Sequence, residues 1–167
     1  MSYPRELLKN STYLVTRKCT QDLYLLAPAP WVNKAFLYCL AMAAERFDID
    51  LHAVCVMSNH WHAVLTDRQA QLPRFMEWVH KYVAKCMNAR LDRTQNFWSS
   101  AKYSAVRLET PDDALDKIVY VLANPVAALA VSRADLWPGL HTARVPFGTR
   151  LEVTRPDVFF RRDGAMP

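Results

Sequence analysis

His60 and His62 stand two residues apart, and Tyr120 and Asn124 stand four apart. In a β-strand alternate side chains share a face, so the two imidazoles would lie side by side with Trp61 on the opposite face. In a helix residues four apart are neighbours, so the tyrosine and the asparagine would share a side. Neutral imidazole is the commonest side-chain metal ligand, and a rigid strand fixes such a pair before a metal arrives. The other reading of His-x-His is a packed or half-exposed pair with no ligand role. If the helix carrying Tyr120 packs beside the strand, the Asn124 amide oxygen supplies a third ligand and the phenol sits next to the open metal positions. That set suits phosphodiester chemistry. A divalent ion polarises the non-bridging oxygens, and Tyr120 attacks phosphorus to form a phosphotyrosine. Phenols with a pKa near 10 are poor nucleophiles, so the metal and cations such as Lys117 would have to favour the phenolate. The protein-DNA link would conserve the phosphodiester's energy, so rejoining would need no nucleotide cofactor. The three glycines form no phosphate-cradling loop, in agreement.

The elements that must position these groups can be read from periodicity. His52 to Val56 and His60 to Leu65 are apolar runs hinged at Ser58-Asn59, which predicts an antiparallel hairpin. Thr12 to Thr16 reads as a strand, with Arg17 and Lys18 at its end as phosphate contacts or a solvated terminus. Trp31 to Phe47 has near-helical apolar spacing. Leu72 to Leu91 predicts a second long helix, with Phe75, Val79, Tyr82, Val83 and Cys86 on its apolar face. Arg74, Trp78, Lys81 and Lys85 fall together away from that face: a phosphate-binding stripe with one stacking aromatic, or an ordinary solvated face. A loop from Asp92 to Lys102 holds Phe97 and Trp98, and Tyr103 to Leu108 alternates like a strand. The order is strand, helix, strand, strand, helix, strand, the α+β ferredoxin-like βαββαβ arrangement with both long helices on one face of an antiparallel sheet.

A third helix follows, with Thr110 as N-cap, Pro111 at its first position and Asp112 and Asp113 in its first turn. Its expected end is Asn124, before Pro125. Beyond about Val131 the chain reads as a basic, loosely structured tail. The expected division is a nuclease-like domain over 1–131 and a tail over 132–167, the latter a nucleic-acid arm or simply solubilising.

Composition adds bounds. A chain of 167 residues, 51% hydrophobic, fits one domain with a real core. The formal charge of +5 and pI near 9.1 suit a polyanionic partner. Cys19, Cys39, Cys55 and Cys86 lie far apart with no Cys-x-x-Cys, which fits reduced thiols in a cytoplasm rather than a zinc cluster or disulfide framework. Met1 to Glu6 does not read as a leader, and no apolar run has membrane-spanning length.

The run Val56-Met57-Ser58-Asn59-His60-Trp61-His62, together with Tyr120-Val121-Leu122-Ala123-Asn124-Pro125-Val126, resembles the single-tyrosine, His-hydrophobic-His transposases of the insertion-sequence-200-like class, particularly the REP-associated tyrosine transposases. Tyr13-Leu14-Val15-Thr16-Arg17, Phe97-Trp98 and Trp137-Pro138-Gly139 extend the resemblance, which spans roughly Ser11 to Gly139. It implies a nuclease that nicks and rejoins single-stranded DNA near hairpins, with His60 and His62 as metal ligands, Tyr120 as nucleophile and Asn124 at the third ligand position. Mg²⁺ or Mn²⁺ is the implied ion, imidazole being more at ease with Mn²⁺. Arg17, Lys18, Arg74, Trp78, Lys81, Lys85, Trp98 and Lys117 form the expected DNA-contacting set. REP-associated members often carry a histidine between the tyrosine and the Asn-Pro, where this chain has Val121-Leu122-Ala123. Asp163 to Pro167 reads as an interrupted segment, of a longer or truncated product. Two other readings remain: a domesticated, non-catalytic hairpin-binding protein, and a metal hydrolase that uses activated water. Monomer and homodimer are both compatible with the sequence.

Overall fold

Four strands and three long helices follow the expected order in a computed structural model that describes residues 7–157. They are β1 (Ser11–Lys18), α1 (Pro30–Phe47), β2 (Ile49–Val56), β3 (His60–Asp67), α2 (Leu72–Arg90), β4 (Ser104–Leu108) and α3 (Pro111–Ala127). The sheet is antiparallel, in the order β2-β3-β1-β4, which is the ferredoxin-like arrangement. The readings made for Met1 to Glu6, for the last ten residues of the basic tail and for Asp163 to Pro167 within them fall outside the described residues.

The two-residue period of β3 divides the molecule. Trp61, Ala63 and Leu65 enter the larger core with Phe36 of α1 and Phe75 and Met76 of α2. The Phe36 and Trp61 rings meet edge to face at 5.5 Å. Val64 belongs to a second, smaller core with Ala53, Cys55, Leu108 and Val121 of α3. By alternation His60 and His62 share the α3 side. The hairpin turns at Ser58-Asn59 as expected, with Val56 opposite Trp61 and Met57 N donating to His60 O at 2.8 Å.

The junction between β3 and α2 is fixed by Asp67, which is 1% exposed. Its carboxylate accepts from the backbone amides of Gln69, Gln71 and Leu72 at 3.2, 2.9 and 2.7 Å. The last residue of the strand thereby satisfies donors that the first turn of α2 leaves unpaired. The start of α3 is as expected: Asp113 N donates to Thr110 Oγ1 and Thr110 N to Asp113 Oδ2, each at 3.0 Å. Thr110→Ala should cost about 1 kcal/mol in a urea titration.

Two features differ from the sequence reading. The first is the end of α3, which continues through Pro125 to Ala127 instead of stopping at Asn124. Proline costs the helix one amide, but Ala128 N still reaches Asn124 O at 2.9 Å and Ala130 N reaches Pro125 O at 3.0 Å. Asn124 is therefore a regular helical residue one turn beyond Tyr120. The second is part of the segment read as loose. Leu140 O accepts from Val56 N at 2.8 Å, and Thr142 N donates to Val54 O at 3.1 Å, so residues 140–142 cover the outer edge of β2. Trp137 Nε1 donates to Val56 O at 2.9 Å. The open edge of β2 supplied these partners, and a sequence period does not reveal them. Among the described residues no helix is long and apolar enough to cross a membrane.

Candidate active site

On the α3 side of the sheet the His60 and His62 rings lie 4.7 Å apart between centroids, nearly perpendicular at 81°. Each has one nitrogen committed. Asn59 Nδ2 donates to Asp22 O at 3.3 Å, which turns Oδ1 toward His60 Nδ1 at 2.6 Å. An amide oxygen only accepts, so Nδ1 of His60 carries the proton and Nε2 keeps its lone pair when the ring is neutral. His62 Nδ1 pairs with Thr16 Oγ1 at 2.8 Å, and Thr16 is the residue that the β1/β3 register places opposite His62. Both rings thus present Nε2 and are oriented from behind, as metal-binding histidines are.

Burial and the neighbouring imidazole push the His62 pKa down to about 4. Burial and the Lys18 ammonium also lower His60. Both rings are therefore in the uncharged, ligating form at neutral pH. The Asn124 side chain lies within hydrogen-bonding reach of His60, whose Nε2 is the nitrogen left for it. Among the described residues no third His, Cys or carboxylate joins the pair, so the third protein donor would be the Asn124 amide oxygen. Two imidazoles and an amide oxygen suit a divalent ion with coordination positions to spare, Mn²⁺ more than Mg²⁺.

Tyr120 closes the group. Its ring meets His62 edge to face at 5.6 Å, and it is 47% exposed, so a substrate can reach the hydroxyl. Lys117 Nζ lies 5.9 Å from the Tyr120 ring. Lys117, Tyr120 and Asn124 follow one another at intervals of three and four along α3, the spacing that puts them on one side. Lys18 also belongs to this side of the sheet, opposite His60 in register, and pairs with Asp22 at 3.3 Å.

Other members of the expected DNA-contacting set are placed elsewhere. Arg17 points to the opposite face by alternation and donates to the carbonyls of Ser99 and Ala101, so it fastens a loop. Trp98 is 8% exposed and donates from Nε1 to His80 O at 2.8 Å, which makes it a core residue. Arg74, Trp78, Lys81 and Lys85 lie on α2, across the sheet from the histidine pair. Tyr82, read as part of the apolar face of α2, is half-buried against Trp78 with a ring separation of 4.3 Å. Conversely Thr16, Asn59 and His141 orient the site, a role the sequence reading did not give them. His141 Nε2 lies 2.9 Å from Leu122 O, tying the covered β2 edge to α3.

His80 is a separate titrating feature, on the α2 side. Burial, with help from the Arg17 guanidinium, pushes its pKa down to about 3, and its Nε2 has no hydrogen-bond partner. The unfolded chain takes up this proton near pH 6.5 and the folded chain only near 3. Stability from the neutral ring is complete above 6.5 and drains away as pH falls toward 3, by up to about 1.4 kcal/mol per pH unit. Urea titrations at pH 7 and 5 should show that fall, and His80→Gln should make it shallower, the remainder coming from His62 and, in the same direction, from His52, His60 and His141. An unchanged slope would contradict this account of His80.

A family model described as "Transposase IS200 like" matches residues 27–117, over half of the chain. The structure of a REP-associated tyrosine transposase bound to a REP hairpin is similar, with a TM-score of 0.71 at 16% identity over 95% of this chain and 96% of that one. A candidate transposase from Deinococcus radiodurans R1 has a TM-score of 0.50 at 18% identity, over 70% of this chain and 93% of that one. No curated protein matches the sequence significantly. At these identities the solved structures speak for the fold.

Proposed function

From the premise that the chain belongs to the IS200-like transposase family, we propose that it cuts and rejoins single-stranded DNA beside hairpins through a covalent link to Tyr120. The observation that carries this reading is the exposed phenol 5.6 Å from one of two neutral, pre-oriented imidazoles. A structurally similar transposase was solved with a REP hairpin, which favours a hairpin-bearing substrate. The nuclease unit is assigned to residues 1–131, with 132–167 as its basic extension.

His60, His62 and Asn124 would hold the divalent ion, which when bound supplies positive charge to the non-bridging oxygens of the scissile phosphate. Lys117, one turn before the nucleophile, brings a positive charge to the side where charge develops at the phosphate. The Tyr120 oxygen then bonds to phosphorus as the bond from phosphorus to the leaving sugar oxygen breaks. The phenolic proton goes to solvent, and the leaving strand end takes up a proton as a hydroxyl. In rejoining, a strand-end hydroxyl attacks the phosphotyrosine and Tyr120 is regenerated, so no nucleotide is consumed. Thr16 and Asn59 hold the two rings so that the ligand geometry does not have to be formed anew on each turnover.

The test is incubation with labelled hairpin-bearing single strands and Mn²⁺, resolved on a denaturing gel. The expected result is cleaved strand and a slow-migrating protein-DNA band, both requiring metal. Substrate bound across a broad hairpin set but never cut would overturn the enzyme reading in favour of a hairpin-binding protein.

A further inference from the structure

We propose that the outer side of α2, with the end of α1, is a second single-stranded nucleic-acid site, separated from His60 and His62 by the sheet. It stands independently of the Tyr120 chemistry. Along α2 the inward residues Phe75, Val79, Val83 and Cys86 are buried in the larger core, while Arg74, Lys81 and Lys85 are exposed. Between these cations sit two half-buried rings, Trp78 and Tyr82, 4.3 Å apart and tilted by 41°. Lys81 and Lys85 place their ammonium groups 5.6 and 5.8 Å from the Tyr82 ring. At the other end of the groove Arg46 and Arg74 bring guanidinium groups from two different helices to 5.7 Å from the Phe47 ring. Glu77 is the carboxylate in the groove lining, against three cations there.

The chemistry identifies the occupant. From Arg74 to Lys85 the helix rises about 16 Å, the length of a few nucleotides, so cations at both ends can meet successive phosphates. An aromatic pair between them offers a base a stacking surface without sequence preference. A purely acidic peptide would use the cations and leave the rings idle. A duplex would keep its bases stacked on one another, away from Trp78. The sheet and the larger core beneath α2 separate this surface from the histidine pair, so a strand held here is a different segment from the one at Tyr120, or a different molecule.

The test uses the whole chain in EDTA and a fluorescein-labelled thirty-nucleotide oligothymidylate, read by anisotropy over a salt series. Trp78→Ala and the double variant Lys81→Glu, Lys85→Glu are compared with a charge-matched control, Lys9→Glu, Lys34→Glu, after equal thermal midpoints have shown that all fold. The expected result is roughly tenfold weaker binding or more for each α2 variant, with a salt slope reduced by about 1.4 in the lysine variant. Metal-dependent cutting of a short hairpin substrate should survive in both. Binding that follows Trp78 in a preparation that never cuts DNA would still support this site. Affinity and salt slope indistinguishable from the control would overturn it, as would poly-glutamate displacing the oligonucleotide while Trp78→Ala has no effect.

Discussion

Tyr120→Phe is expected to lower strand cleavage by on the order of 10⁴-fold or more, to the level of a protein that binds but does not cut, because it removes the attacking oxygen and little else. The phenylalanine ring retains the edge-to-face contact with His62, and the position is 47% exposed, so packing of α3 should be unaffected. The buried residues of that helix are Val121, one residue on, and Pro125, one turn further. Hairpin binding by the variant should therefore match the parent while both the cleaved strand and the covalent band vanish. Two other tyrosines are placed away from the histidine pair. Tyr82 is on the far side of α2, and Tyr103 lies 5.8 Å from His80 on the α2 face of the sheet. Cleavage that persisted in Tyr120→Phe would mean an activated water.

His62→Ala should weaken Mn²⁺ binding by more than about 100-fold, since loss of a mere orienting partner behind a ligand already costs 10- to 100-fold. Thr16→Val tests that lesser effect directly. It removes the oxygen 2.8 Å from His62 Nδ1 while keeping the β-branched shape that β1 requires, so the ring loses its orientation and not its neighbours. The predicted ranking in titration calorimetry is wild type, then Thr16→Val, then His62→Ala, with excess Mn²⁺ restoring cleavage in Thr16→Val much more than in His62→Ala. Equal Mn²⁺ affinity in all three would remove His62 from the metal site and leave it as a packed histidine, the plainer reading of a His-x-His strand.

How much of this was legible in the sequence follows from which interactions are periodic. The hairpin, the three long helices and their order could be read because alternation and three-four spacing are local properties of strands and helices. The two pairs, His60 with His62 and Tyr120 with Asn124, were legible for the same reason, each being neighbours within one element, whereas the packing of α3 beside β3 that brings the pairs together entered only as a condition. What could not be read depends on register between elements. Thr16 is merely one of several β-branched residues until β1 is paired with β3, and only then does it face His62. Arg17 and Trp98 carried the right chemistry for nucleic acid but were turned inward by strand alternation and by the path of the loop before β4. Pro125 was read as a stop because the local cost of proline is real; packing of Val121, Ile118 and Leu122 against the sheet outweighs it. Arg74, Trp78, Lys81 and Lys85 were correctly grouped by helical geometry, yet helical geometry cannot say on which side of the sheet the group lies.

Peptide mapping of the protein-DNA adduct tests the central claim most directly. Trypsin should release Ile118 to Arg133, a peptide that contains a single tyrosine, Tyr120. After metal-dependent cleavage and nuclease trimming, the account predicts a nucleotide mass on that peptide, located to Tyr120 by fragmentation. An adduct on any other peptide, or complete cleavage with no adduct at all, would contradict it.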